Sequence, residues 1–440
     1  MMQITALTRS IRRRHVNKPR GVAMLLVLVG LVILGLVASE IRYNSAVELR
    51  LAANQRDELR AHYLAKSGIA MSRLMLRFQK QVDSIQIPNI ASIVQAVAGG
   101  GAPAPGGAAP SSMSIQLWRM AKVDCHMLAQ LVPSQPSASG GMGKSPPKVA
   151  FDEENPEAGK AQQGRSFGSF TGCFDTVITD EEERINLNKL DSPQLSAIVL
   201  LSQLQAALTD KKYEFLFEKE DSNRVKSTPN DVVISMRDWI DEDDVMTQLN
   251  FTGQGDPFQK GFSDENGDYT RYYDPRYRAK NARFDSLDEL FMVHGINDRF
   301  MAAFKDKLTV YPDVNSRLNI NTDDPLLLEL AIRTVADPMR LDPRLSDPVF
   351  IDMLIKKIRA ARVFAIFGMS AADFVNLVAA SGVAVNQSIL NNLQNQRYIG
   401  DKSSTYRLAA TGSAGDVTRT ITAVVRLDDG LGRLAYWRED

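Results

Sequence analysis

The first forty residues constrain this chain more than any other part of it. An uncharged, strongly apolar segment occupies residues 22–39 and follows a leader with six basic residues and no acidic one. Its 18 residues lie within the range of about 17–25 that a membrane-spanning helix needs. Because positive charge favours the cytoplasmic side of a membrane, we expect the leader in the cytoplasm and the remaining chain across the membrane.

Three interpretations of this segment are open. A cleaved secretory signal needs an apolar core of about 7–15 residues and a small-x-small cleavage site, which LVASE at residues 36–40 fits poorly. A plain single-pass anchor explains the hydropathy alone. We favour a prepilin-type leader, cut on the cytoplasmic side between Gly21 and Val22, because the basic leader ends in glycine.

The sequence after the apolar run predicts that the same helix continues. Residues 40–80 contain no proline and one glycine, Gly68. Large apolar residues recur there at the spacing of one helical face, namely Leu59, Tyr63, Leu64, Met71, Leu74, Met75 and Phe78. We expect this stripe to pack on a globular head.

Four short blocks resemble one known family. They are AHYLAKSGIA at residues 61–70, DWIDEDD at 238–244, YRAKNA at 277–282 and FDSLDEL at 284–290. In this order they are similar to segments of type IV pilin-like proteins and, more closely, of the K-type minor pseudopilins of type II secretion systems (general secretion pathway protein K). The resemblance implies an α+β, pilin-like fold. In such a fold a long N-terminal helix packs on an antiparallel sheet, here with a large, mainly α-helical insertion.

The resemblance also implies a structural role in protein export and no enzymatic activity. A prepilin peptidase would cut after Gly21 and methylate Val22, leaving a single-pass protein of the inner membrane with its head in the periplasm. Leu26 stands where most pilins carry a glutamate that pairs with the amine of a neighbouring subunit. Since an unpaired carboxylate in a bilayer is costly, Leu26 suits a subunit at the pseudopilus tip, and K-type proteins share this departure.

A tip subunit of this family has other pseudopilins as partners. The resemblance implies I-type and J-type minor pseudopilins and the major pseudopilin, contacted through the helix at residues 49–78. One alternative is a type IV pilus minor pilin, which should lack the blocks at 238–244 and 277–282. Another is a membrane-anchored periplasmic enzyme, although the sequence contains no HxxxH, CxxC or GxxxxGK[ST] P-loop motif.

Nucleic-acid binding finds no support in the charges. Lys+Arg and Asp+Glu both number 52, so the formal net charge is zero. The segment VHGIN at residues 293–297 is similar to a helix-hairpin-helix, but it has one glycine and acidic neighbours, whereas phosphate binding requires positive charge. Cleavage after Gly21 would leave 46 basic and 52 acidic residues, a net charge of −6.

Five segments organise the chain in this interpretation. They are the leader (1–21), the transmembrane part of the helix (22–39), the first part of the head (40–184), the inserted helical domain (185–385) and the C-terminal strands (386–440). An internal repeat opens both halves of the insertion, since RINLN at 184–188 recurs as RLNIN at 317–321, each before a helix-start signal.

Local spacing predicts the elements of the head and of the insertion. Helical periodicity occurs at residues 195–208, 288–308, 326–335 and 350–367. Alternating or β-branched runs predict strands at residues 172–179, 405–411, 417–426 and 434–438.

The two cysteines, Cys125 and Cys173, would meet an oxidising compartment after export. A disulfide between them is expected there, and two buried thiols are the alternative. Segments rich in Gly, Ala, Pro and Ser at residues 98–115 and 133–147 predict connectors on the surface.

Acidic residues concentrate around the DWIDEDD block. Ca²⁺ binds six to eight oxygens from carboxylates and carbonyls on a turning loop, and the K-type resemblance implies Ca²⁺ between this block and YRAKNA. Carried onto this chain, the ligands would be Asp238, Asp241, Asp243, Glu265 and Asp268. The alternative is a solvated acidic loop near Arg276, Arg278 and Lys280.

Overall fold

A computed structural model describes residues 20–84, 113–120, 122–125, 166–167, 170–191, 194–220, 224–250, 256–337, 340, 342–362, 367–392, 398–428 and 430–440. The chain divides into two compact units, Met1–Leu59 and Arg60–Asp440. One helix, α1 (Arg20–Ser84), contributes residues to both.

The first unit contains the N-terminal, strongly apolar part of α1. An 18-residue window of this helix has a mean hydropathy of 2.6 and no buried residue, so by length and composition the helix could cross a membrane. Leu26 is 67% exposed on it. The expected cleavage position, Gly21 and Val22, lies in the first turn of α1, and the leader before it lies outside the described residues.

The remaining helices are short. They are α2 (Leu117–Met120), α3 (Gln194–Leu208), α4 (Pro229–Asp238), α5 (Asn266–Tyr272), α6 (Asp298–Phe304), α7 (Pro325–Val335), α8 (Pro348–Ala361), α9 (Ala371–Ala380) and α10 (Gln387–Leu390). Short 3-10 helices cover Leu187–Asp191, Lys211–Leu216, Leu287–Met292 and Pro343–Ser346.

The strands vary from two to ten residues. The first eight are β1 (Met113–Ile115), β2 (Val123–Asp124), β3 (Ser166–Phe167), β4 (Phe170–Thr171), β5 (Cys173–Asp180), β6 (Ile185–Asn186), β7 (Val245–Leu249) and β8 (Phe258–Asp264). The others are β9 (Leu308–Thr309), β10 (Leu318–Asn319), β11 (Phe367–Met369), β12 (Ile399–Gly400), β13 (Thr405–Ala414), β14 (Val417–Arg426) and β15 (Arg433–Glu439).

A five-stranded antiparallel sheet forms the centre of the second unit. Its strand order is β15-β14-β13-β5-β2. Residues alternate along β13 so that Tyr406, Leu408 and Ala410 are buried against α1. The predicted α+β fold is therefore confirmed, with a long N-terminal helix on an antiparallel sheet and a mixture of helices, short strands and loops between β5 and β13.

The predicted apolar stripe of α1 is only partly the packing face. Leu64 of that stripe is buried, and Met71 and Met75 are half-buried. The other members are 38–62% exposed, namely Leu59, Tyr63, Leu74 and Phe78. The buried face mixes small and large side chains, and its apolar members are Ala61, Leu64, Ala65, Ile69 and Leu76.

Close approach of helix and sheet explains this choice of residues. A Cβ atom added to Gly412 would lie 2.6 Å from the backbone nitrogen of Ala65, and one added to Gly68 would lie 2.7 Å from Thr176 Oγ1. Such distances leave no room for a side chain. The prediction that the large residues of the stripe pack inward is confirmed for Leu64 and was wrong for the four exposed members, which lie on the side of α1 away from the sheet.

The internal repeat corresponds to a repeated structural element. Asn188 donates to the carbonyls of Val310 (2.7 Å) and Phe284 (3.0 Å) and accepts from the Phe284 N–H (2.9 Å). Asn321 likewise donates to the Met369 carbonyl (3.1 Å) and accepts from its N–H (2.7 Å). The second asparagine of each copy therefore forms hydrogen bonds to backbone groups that lie shortly before a later helix.

Two predicted helices end earlier than expected. Residues 288–308 form a 3-10 helix and the short α6, separated at Gly295, which has a φ of 80° that favours glycine. Residues 350–367 form α8 only as far as Ala361. Arg362 leaves helical geometry and donates to the carbonyls of Ile320 (2.7 Å) and Thr322 (3.0 Å).

The head also contains a disulfide between Cys125 and Cys173, whose Cα atoms are 5.5 Å apart. It joins the end of β2 to the start of β5, which pair in the sheet. The connectors expected at 98–115 and 133–147 lie outside the described residues, except residues 113–115, which form β1 and pair with β11.

Candidate metal centre

Three of the five acidic residues named as calcium ligands converge in the structure. Asp238 is the last residue of α4, Asp241 lies in the turn after it, and Glu265 directly precedes α5. One carboxylate oxygen from each lies within 4.8 Å of one from each of the others. The acidic block and the distant Glu265 therefore form one compact group of oxygens.

This carboxylate cluster is buried and short of hydrogen-bond donors. The exposed fractions are 3% for Asp238, 8% for Asp241 and 3% for Glu265. Within the described part of the chain, both carboxylate oxygens of Glu265 and Oδ1 of Asp241 have no hydrogen-bond partner. A buried carboxylate without a partner carries a large desolvation penalty, so the cluster has the character of a site for a cation.

Local contacts hold two of the three carboxylates. Asp238 Oδ1 accepts from the backbone N–H of Thr247 on β7 at 2.9 Å. Asp241 Oδ2 lies 3.3 Å from Arg237 Nε, one helical turn earlier. The Glu265 N–H donates to the Asp244 carbonyl at 3.3 Å, which connects the two acidic segments through the backbone.

Burial shifts the titration of all three groups in the same direction. It raises the pKa of Glu265 to about 8, with added repulsion from Asp238 and Asp241. Burial also raises the pKa of Asp238 to about 7, against the hydrogen bond from Thr247. The pKa of Asp241 rises to about 6 through burial, against the attraction of Arg237. Without a cation, the cluster holds protons near neutral pH.

The spacing of the oxygens fits a calcium ion. Ca²⁺ binds oxygens at about 2.3–2.6 Å, so two oxygens on opposite sides of one ion are about 4.6–5.2 Å apart. The three carboxylate oxygens lie within 4.8 Å of one another. A hard divalent cation also prefers carboxylate oxygens over nitrogen or sulfur, so these residues fit Ca²⁺.

The other two expected ligands, Asp243 and Asp268, lie beside a lysine and a histidine. Asp243 Oδ2 is 2.8 Å from Lys260 Nζ on β8, and this interaction lowers the pKa of Asp243. Asp268 Oδ2 is 3.7 Å from Nε2 of His294. The structure thus brings Asp238, Asp241 and Glu265 together and places Asp243 and Asp268 in other contacts.

Two asparagines that were not singled out brace the cluster. Asn281, in the YRAKNA block, donates to the carbonyl of Asp243 (3.3 Å) and to Asp244 Oδ1 (3.2 Å). Asn266 also donates to Asp244 Oδ1 at 3.2 Å and accepts from the Ala279 N–H at 3.0 Å. The presence of asparagine inside a resembling block was the available signal for Asn281.

The surroundings of His294 are aromatic. It is 9% exposed and its ring lies 5.7–6.2 Å from those of Tyr269, Tyr272 and Tyr273. Its Nδ1 lies 3.4 Å from the Tyr273 hydroxyl. Next to it, Asn297 caps α6 by accepting from the N–H groups of Arg299 and Phe300. These contacts give the VHGIN segment a packing role.

Among the comparisons with known proteins, the solved structures include a similar chain. No protein-family model matches the chain, and no curated protein matches it. A chain in the crystal structure of the GspK-GspI-GspJ complex, from the type 2 secretion system of enterotoxigenic Escherichia coli, is similar to this one at 16% sequence identity. The match covers 63% of this chain and 82% of that chain, with a TM-score of 0.42.

Proposed function

We propose that this chain is a K-type minor pseudopilin that caps the tip of a type II secretion pseudopilus and helps to initiate its assembly. The observation that carries the proposal is α1. This helix starts at Arg20, beside the expected cleavage position, and has an apolar segment long enough to cross a membrane. The same unbroken helix later supplies the surface on which the antiparallel sheet packs.

Cleavage between Gly21 and Val22 would make this helix the N-terminus of the mature protein. The test is mass spectrometry of the mature chain isolated from membranes that contain a prepilin peptidase. A mature chain that begins at methylated Val22 supports the proposal. An uncleaved chain, or cleavage near Ser39, would contradict it.

The tip position is supported by Leu26 and by the size of the insertion. An apolar residue at position 26 needs no partner amine from a subunit above. The chain between β5 and β13 buries two apolar cores of its own. A head enlarged in this way would obstruct the addition of another subunit, which is the property required of a cap.

The exposed face of α1 supports I-type and J-type minor pseudopilins as partners. Tyr63, Leu74 and Phe78 are 56%, 38% and 54% exposed on one side of the helix. Their apolar side chains suit a helix-bundle contact of the coiled-coil kind. Tyr63→Glu with Phe78→Glu should abolish co-elution of the full chain with both partners in detergent. Val349→Glu, at a 76% exposed apolar residue of α8, is the matched control and should leave co-elution intact.

Calcium is proposed as the structural cation of the carboxylate cluster. Asp238, Asp241 and Glu265 would hold it, and its charge would offset their repulsion. Bound there, the ion would tie α4 to α5 and to the β7–β8 hairpin, because Thr247 and Asp264 lie directly beside the ligands. Adding Ca²⁺ to metal-free protein should raise its melting temperature, and an unchanged temperature would count against the site.

A further inference from the structure

Among the described residues, Arg237 forms an ion pair with the carboxylate cluster, because its Nε lies 3.3 Å from Asp241 Oδ2. We infer that Arg237 sets the charge of this site, so that it accepts a divalent cation in preference to a trivalent one. The inference rests on the proposed calcium site and concerns its selectivity, which no family resemblance assigns.

The side chain of Arg237 is positioned by groups outside the cluster. Its Nη1 donates to the Leu190 carbonyl at 2.6 Å, and its guanidinium lies 5.6 Å from the centre of the Phe258 ring. Asp191 is more distant at 3.8 Å and is itself bonded to Arg283 at 2.9 Å. The positive charge therefore stands beside the carboxylates whether or not a metal ion is present.

Arg237 compensates only part of the negative charge. It lies beside one of three buried carboxylates, and its Nε lacks hydrogen-bond geometry to that partner. Nearby Asp243 is paired with Lys260, and Asp244 is exposed to solvent, so neither adds unpaired buried charge. When all three carboxylates are ionised, as cation binding requires, they and one guanidinium carry a net charge of −2.

A buried site is most stable when its total charge is close to zero. One divalent cation neutralises a charge of −2, whereas a trivalent ion leaves an excess of +1 beside the fixed guanidinium. Without Arg237 the cluster would carry −3, and the trivalent ion would be the neutralising one. Removing this arginine should therefore strengthen the binding of both ions and favour the trivalent ion more.

Terbium and calcium are suitable probes because they have similar oxygen preferences and different charges. Trp239 directly follows the ligand Asp238 and can sensitise terbium luminescence. The full chain in detergent would be titrated with Tb³⁺, and Ca²⁺ affinity would be measured by competition. Arg237→Gln should shift the ratio of Tb³⁺ to Ca²⁺ affinity toward Tb³⁺ by about tenfold or more, as expected for a unit charge beside a buried ion.

Two matched variants separate charge from packing. Arg237→Lys keeps the charge and should leave the ratio close to that of the wild type. Arg283→Gln removes a cation that is bonded to Asp191 instead of the cluster, and it should change the ratio less than about twofold. Should Arg237→Gln fail to fold, Asp241→Asn gives the opposite test, because it lowers the net charge to −1 and should shift the ratio toward Ca²⁺.

The outcomes distinguish this inference from the proposed calcium site. A wild-type chain that binds neither ion would overturn both. A wild-type chain that binds both ions, with an Arg237→Gln ratio that is unchanged or shifted toward Ca²⁺, would overturn the role of Arg237 and leave the site standing.

Discussion

Replacing Glu265 by glutamine should have opposite effects on stability with and without calcium. Both carboxylate oxygens of Glu265 are buried without a hydrogen-bond partner among the described residues. In the metal-free protein, the charge of this group only adds repulsion, so its removal should stabilise the fold. With calcium bound, the same change removes a ligand and should destabilise it.

The size of the expected change in folding stability follows from the raised pKa of Glu265. Burial and repulsion from Asp238 and Asp241 raise this pKa from 4.5 to about 8 in the folded chain. Because the folded pKa lies above the unfolded one, the associated stability is complete below pH 4.5 and is lost as the pH rises to 8. The slope is about 1.4 kcal/mol per pH unit, so metal-free protein should lose ~3 kcal/mol between pH 4.5 and pH 7.

The assay is thermal unfolding of the full chain in detergent between pH 5 and pH 8. Metal-free wild type should become less stable across this range, and Glu265→Gln should show a weaker dependence. Saturating Ca²⁺ should restore the stability of the wild type near neutral pH and restore the variant much less. Glu242→Gln makes the same chemical change at an exposed neighbour and should behave like the wild type.

Two results would refute this reasoning. One is a metal-free wild type whose stability rises steadily from pH 5 to pH 8, because the folded pKa of the cluster would then lie below its unfolded value. The other is a Glu265→Gln variant that is destabilised equally with and without Ca²⁺. That result would assign Glu265 a packing role independent of any cation.

Contacts outside the metal centre give three further expected outcomes. Gly412→Leu should destabilise the head by more than about 2 kcal/mol in urea unfolding, because its side chain would overlap the α1 backbone; a smaller loss would contradict the close packing. Replacing both cysteines by alanine should cost up to about 4 kcal/mol for a separation of 48 residues, and a reductant should then have no further effect. Asn188→Ala should cost about 2–4 kcal/mol, since it leaves buried groups of Phe284 and Val310 unpaired. The exposed Asn315→Ala is its control, and equal losses in the two variants would argue against the repeated tie.

Elements with a strong local period could be predicted from the sequence. The strand predicted at 417–426 is β14 with the same bounds, and that at 405–411 is the first part of β13. Both are rich in alternating or β-branched residues, whose preference is set by neighbours along the chain. The end of α8 was not predictable in this way, because it depends on Arg362 reaching carbonyls about forty residues earlier.

The carboxylate cluster was predictable as a region and not as a set of residues. Asp238 and Asp241 are close in sequence and lie on one turn, so their proximity is local. Glu265 joins them because residues 245–264 contain the hairpin of β7 and β8, where no strand was predicted. The same hairpin brings Lys260 to Asp243, a contact that the acidic block alone did not indicate.

The partly misassigned face of α1 has a physical explanation that bears on assembly. Gly412 and Gly68 allow the backbones to approach, and at these two contacts no space is left for a side chain. The large apolar residues Tyr63, Leu74 and Phe78 are exposed instead, and the sheet cannot cover them because it occupies the opposite side of the helix. A row of exposed apolar side chains marks a surface for interaction. The periodicity of large residues in α1 therefore combines a core position at Leu64 with exposed positions that form a candidate surface for a partner helix.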